Sequence, residues 1–295
     1  MYRYRHAAAL LAAIALIAAH APRAHAQCYE EECAPPPSHA ARGEALSLGA
    51  NALIGGATAA VRARMQRQPV ARAFAAGAAG GALTYAGKRI SVERGGGLGF
   101  LGREVAAVGT SVTANAAEGR GVMDRLVLPV GPVRLYLVTR GPGPSFSARL
   151  DAAAVVAAAY AATVPGSRFD ADRSLSAGAL VFTVPGVLGE LGYDGRHAAG
   201  VILVRRGEDP VRTERASLHE RVHVVQYDQT FLLWSAPAEA ALMDRAGWSR
   251  ALHRWVDLGL NAPAIAALSA VVPYDAQPWE TEADYLSRRV HIPEQ

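Results

Sequence analysis

Three uncharged runs, Ala45 to Val61, Ala73 to Gly87 and Val105 to Ala117, restrict the first third of this chain to helices in close contact. Alanine, which dominates them, loses little on entering a helix. Gly77 and Gly81 are four residues apart, so both lie on one helix face and let a neighbouring backbone approach. Two arrangements satisfy such runs: a hairpin inserted in a membrane, or helices packed outside one. The first two runs are shorter than the ~20 residues of a usual span and are rich in alanine rather than leucine, which favours a core or interfacial role. Contact of residues 45–87 with a membrane surface stays open, since Arg62, Arg64, Arg67 and Arg72 cluster between the runs.

Ahead of this segment, residues 1–26 read as a secretory signal: Arg3 and Arg5, an apolar run from Ala7 to Ala19, and Ala24-His25-Ala26 before the cut. An exported protein, periplasmic or secreted and able to associate with a membrane, is the expectation. Residues 27–43, with Pro35-Pro36-Pro37, read as a linker. Cys28 and Cys33 suit a local disulfide in an export compartment. The formal charge is +4, of which Arg3, Arg5 and Arg23 of the leader account for three. A nearly neutral remainder gives nucleic-acid binding no support. The glycines from Gly95 to Gly99 lack the strand and Lys-Ser/Thr context of a phosphate loop.

After Gly121 the pattern changes. Leu126 to Val130 and Val133 to Thr139 predict two strands joined at Gly131-Pro132, and Leu150 to Thr163 predicts a buried helix stopped by Pro165-Gly166. Ala179 to Val184 and Val201 to Arg205 predict further strands, the latter as a sheet edge able to hold an extended substrate. A long helical part follows from Val211. The expected class is α+β: a Gly/Ala-rich helical region (residues 44–121), then a catalytic domain (residues 122–295) with a small mixed sheet and an active-site helix.

That helix bears His219-Glu220-Arg221-Val222-His223, within a stretch from Thr213 to Thr230 free of glycine and proline. Residues four apart stack on one helix face, so the two imidazoles can converge on one ion at about 2.0–2.1 Å. Glu220 lies about 100° round the helix, placed to act on water rather than to ligate. Zinc lowers the pKa of water and Glu220 can take its proton, which is the chemistry of amide or ester hydrolysis. Leu218, Val222 and Val225 recur at helical spacing beside the histidines.

Two histidines need a third ligand, and two candidates stand out: Glu239, on the helical stretch Ala236 to Met243, and Glu280 in Pro278-Trp279-Glu280-Thr281-Glu282-Ala283-Asp284. Glu280 is preferred because Asp284, one turn on, can orient an imidazole through its other N–H. Pro278 suits a helix's first turn.

The pairing of His219-Glu220-x-x-His223 with Glu280-x-x-Ala283-Asp284 resembles the gluzincin peptidases, among them the CAAX prenyl proteases and the heat-shock membrane proteases. The resemblance spans Val201 to Arg289 and is specific at the two motifs; Val222 stands where that family usually has glycine. It implies a zincin-like domain, zinc as cofactor, endopeptidase activity on a peptide or protein, Glu280 as third ligand and Asp284 as its support. Tyr227, Tyr274, Tyr285, His253 and His291 are open candidates for a hydrogen bond to an oxyanion. Trp234, Trp248 and Trp255 read as core. No Gly-x-Ser-x-Gly elbow occurs. The alternative is an envelope interaction protein whose front helices bind membrane or partner around an idle metal site.

Overall fold

Alanine-rich sequence yields three long helices, α1 (Pro37–Met65), α2 (Val70–Ser91) and α3 (Leu98–Ala117). The computed structural model describes residues 37–95, 97–141, 143–186, 194–207 and 209–292; the leader, Cys28, Cys33 and most of the linker lie outside them. α1 starts at Pro37, inside the stretch expected to be linker. Proline suits a first turn because its missing N–H has no helical partner there.

Glycines sit where these helices cross. A β-carbon on Gly81 would lie 2.1 Å from the Asn51 carbonyl oxygen, and one on Gly102 would lie 2.2 Å from the Ser91 nitrogen. The Thr84 and Thr110 hydroxyls, 3.2 Å apart, bond across the α2/α3 contact. No described helix is long and apolar enough to cross a membrane.

The rest of the chain forms two small mixed sheets. β1 (Arg125–Val130), β2 (Val133–Val138) and β3 (Ser145–Asp151) make an antiparallel meander, with Val130 opposite Val133 and Gly131 at φ 56° in the first turn. β8 (Val256–Asp257) adds to β3 in parallel. The second sheet has the order β4 (Arg168–Phe169), β5 (Leu180–Val184), β7 (Val201–Arg205), β6 (Gly195–Ala198). α4 (Ala152–Thr163) connects the two sheets, and α5 (Ala171–Ala177) lies between β4 and β5 of the second. Val201–Arg205 is therefore an inner strand, contrary to the expected edge. Val201 to Val204 are all buried, as suits a strand covered on both faces. The edge is β6, antiparallel to β7.

α6 (Pro210–Thr230) runs through the middle. Asp209 caps it, accepting from the Val211 and Arg212 nitrogens, and Pro210 occupies its first turn. Leu218 and Val222 face Tyr85 of α2 and Val92 just after it, together with Ala283 and Leu286 of α10 (Pro278–Arg288). Val224 faces Val181, Ile202 and Val204 of the second sheet. Tyr227 joins the cluster under α4. Beyond α6 come a π-helical turn (Phe231–Ser235), α7 (Ala236–Met243), α8 (Gly247–His253) and α9 (Asn261–Val271).

The three tryptophans expected in the core are exposed: Trp234 by 47%, Trp248 by 75% and Trp255 by 72%. The π-helical turn buries Phe231, Leu232, Leu233 and Ser235 and leaves residue 234 outside. α8 buries Ser249 and His253, one turn apart, which turns Trp248 to solvent.

Two stability outcomes follow from this packing. Gly81→Ala drives a methyl into fixed backbone and should cost about 1–3 kcal/mol in denaturant titration. Glu104 on α3 has its carboxyl raised to about 7 by burial, with Arg103 opposing and Asp228 adding to the shift. The folded protein thus holds this proton more tightly than the unfolded chain. The associated stability is present below the ordinary carboxylate pKa and is lost as pH rises to about 7. Glu104→Gln should be near neutral at about pH 4 and stabilising by about 2–3 kcal/mol at about pH 8.

Candidate metal centre

Three atoms from two helices converge. On α6, His219 Nε2 and His223 Nε2 are 2.9 Å apart, and Glu280 Oε2 on α10 lies 3.1 Å from each. Their neighbours define the imidazole tautomers. His219 Nδ1 is 3.1 Å from Asp284 Oδ1, a carboxylate that can only accept, so the nitrogen carries hydrogen. His223 Nδ1 is 2.7 Å from Gln226 Oε1. The Gln226 amide nitrogen faces the Trp279 carbonyl and Glu282 Oε2, so its oxygen must be the atom turned to His223. In neutral rings both Nε2 atoms would then aim lone pairs at one point shared with a carboxylate oxygen, a place that a proton on His219 Nε2 fills when no metal ion does. Three such donors repel one another unless a cation stands among them, and two imidazoles with a carboxylate suit a divalent metal. These residues form a group that could hold a metal ion, with Glu280 in the third place and Asp284 behind His219.

The charges respond to this crowding. Burial alone would lower the His219 pKa, but hydrogen bonds to Asp284 and Glu280 reverse this and raise it to about 10. Burial pushes the Glu280 carboxyl up, yet its bonds to both imidazoles hold it well below the ordinary range. Glu220 is raised, first by burial, with the two histidines opposing. Its side chain packs over β6, where a β-carbon on Gly195 would come within 2.9 Å of Glu220 Cγ and Oε1. His197 of β6 stands beside His223, ring centroids 6.2 Å apart, and burial lowers its pKa to about 3. Its Nε2 accepts from the Gly200 nitrogen at 2.9 Å.

Of the open candidates, Tyr274 reaches the centre. Burial and the Glu280 carboxylate it hydrogen-bonds raise its pKa above the usual phenol value. It also lines an open cleft of about 410 Å³ that ends on Glu280 and includes Val271, Pro273 and Gln277. The other four are elsewhere. Tyr227 donates to Asp151 in the core and Tyr285 pairs with Arg289. His253 lies between Asp244 and Asp257, and His291 is on the surface.

Glu239 does not join the two histidines. It is fully buried and accepts from the Ser235 hydroxyl and the backbone nitrogens of Leu258, Gly259 and Leu260. With His253 and Asp257 it makes a second group whose oxygens and nitrogens come close enough for an ion. Arg149 and Arg134 already neutralise Asp257, however, at 3.2 and 3.6 Å. Sequence reading assigned no part to Gly195, Gln226 or Glu282. Glu282 meets Asn51, Lys88 and Gln226, all distant in sequence, whereas Gln226 meets His223 only three residues away, a helical spacing that could have marked it.

The two glutamates can be separated experimentally. Glu239→Gln weakens hydrogen bonds to a charged acceptor and should cost about 1.5–3 kcal/mol in stability while leaving metal content unchanged. Glu280→Gln should do the reverse in a metal titration.

No protein-family model matches this chain, no curated protein is found to be similar to it, and no solved structure matches it.

Proposed function

We propose that the chain is a zinc-dependent hydrolase, in the first place an endopeptidase, with His219, His223 and Glu280 as metal ligands and Glu220 as general base. The convergence of two imidazole nitrogens and one carboxylate oxygen, with a buried carboxylate next in sequence, is the observation that supports it. The motif resemblance to gluzincins supports the peptidase class and a zincin-like domain. The leader-like first 26 residues support export.

A bound zinc ion supplies Lewis acidity and lowers the pKa of water. The chain supplies the rest. Glu220 takes a proton from the attacking water and returns it to the leaving amine, and its raised pKa brings it closer to the working pH of such a base. Gly195 leaves space for that carboxylate. β6 ends the second sheet's order, and its outer side can pair with an extended peptide. Tyr274, whose hydroxyl hydrogen-bonds Glu280, would turn that hydrogen to a developing oxyanion when a metal ion engages the carboxylate. Asp284 and Gln226 hold the two rings in the tautomers that present Nε2.

The test is metal analysis joined to peptide turnover. Purified wild type should contain zinc near one per chain, and His223→Ala should lose it. Glu220→Gln should retain zinc while hydrolysis falls by about 10²- to 10⁴-fold. A wild type without affinity for zinc, or a Glu220→Gln variant as active as wild type, rejects the proposal.

A further inference from the structure

Two side chains from the front helices end directly behind the metal ligands. Lys88 of α2 is 2% exposed, and its ammonium donates to Glu282 Oε2 at 2.8 Å and to Asn51 Oδ1 at 2.9 Å. Asn51 of α1 closes the ring by donating its amide to Glu282 Oε1 at 2.6 Å. Glu282 Oε2 also accepts from Gln226 Nε2 at 2.9 Å, and the same nitrogen donates to the Trp279 carbonyl at 3.1 Å. Both hydrogens of the Gln226 amide are then used. Its oxygen is left for His223 Nδ1.

A buried ammonium is costly without a carboxylate, and a buried carboxylate without a cation is equally so. Lys88 and Glu282 therefore hold each other in place. That pairing keeps Glu282 an anion, which can only accept, and it joins the Trp279 carbonyl as a second obligate acceptor at Gln226 Nε2, so a flipped amide would turn its oxygen onto two acceptors. Had the amide turned over, its nitrogen would face His223 Nδ1 and force the ring's proton onto Nε2, the atom that points at Glu280.

We infer that Lys88, Asn51 and Glu282 are positioning residues for His223. They hold the Gln226 amide in one orientation, which keeps the His223 proton on Nδ1 and frees Nε2 for a metal ion. The metal consequence rests on the zinc reading above; the tautomer does not. The Gly/Ala-rich helices thereby become part of the metal centre, and their close crossings set where Asn51 and Lys88 end.

Zinc affinity by chelator competition, and the His223 ring state by long-range ¹H–¹⁵N NMR with and without zinc, test this in the full chain. The double variant Lys88→Met/Glu282→Met removes both charges, and apolar replacement of a buried ion pair commonly preserves the fold. Its zinc affinity should fall about ten- to a hundredfold, and its metal-free His223 should carry hydrogen on Nε2 in a larger share than wild type, since the Trp279 carbonyl alone then holds the amide. A folded double variant with wild-type affinity and an unchanged His223 ring overturns the inference. So does a metal-free wild type whose His223 is protonated on Nε2 alone, a result that needs no variant to fold. A wild type with the Nδ1 proton in place but no affinity for zinc rejects the zinc reading and leaves the positioning role standing.

Discussion

α6 has no face to spare. Its apolar side chains meet α2, α10, the second sheet and the cluster under α4, so little of the helix remains open to water. Most of its buried polar groups find a partner inside the protein, because an unmatched buried donor or charge costs more than a typical hydrogen bond returns; Ser217 Oγ and Arg221 Nε are exceptions. Asp228 meets Arg103, Tyr227 meets Asp151, and Gln226 meets Glu282. His219 and His223 meet each other and Glu280, a group that could hold a metal ion.

The same demand explains the unusual number of buried ions around this helix. Arg134 sits between Asp151 and Asp257 and over the Phe231 ring, 3.4 Å from its centroid. Such pairs add little net stability compared with apolar side chains, but they tolerate few alternative packings. Rigidity of this kind is what a set of metal ligands needs, since each must be held by its own surroundings.

What could be read from the chain in advance was local. The histidines are four residues apart on one helix, and Glu280 and Asp284 are a turn apart on another, so their relation needs only helix geometry. Val201–Arg205, Ala236–Met243 and the Pro278 start also follow from nearby residues. β6 escaped notice because Gly195-Arg196-His197-Ala198 has weak strand preference and is held by pairing with β7. β3 escaped because its residues are mostly exposed, so burial leaves no mark on Ser145 to Leu150. Lys88 and Glu282 are 194 positions apart, and no spacing rule connects them. The tryptophans misled because size suggests burial, whereas the face of a short helix decides it.

The gap at Gly195 ties the second sheet's alignment to the surroundings of Glu220, the base of the proposed reaction. In the observed pairing Gly195 stands opposite Val204 and Arg196 opposite Leu203. A slip of β6 by one residue would exchange the faces of the whole strand and bring Asp194 or Arg196 over Glu220 in place of a hydrogen atom. The first would repel the carboxylate and the second would lock it in an ion pair. A four-residue ribbon, through its alignment alone, thus decides whether that oxygen is at liberty to accept a proton.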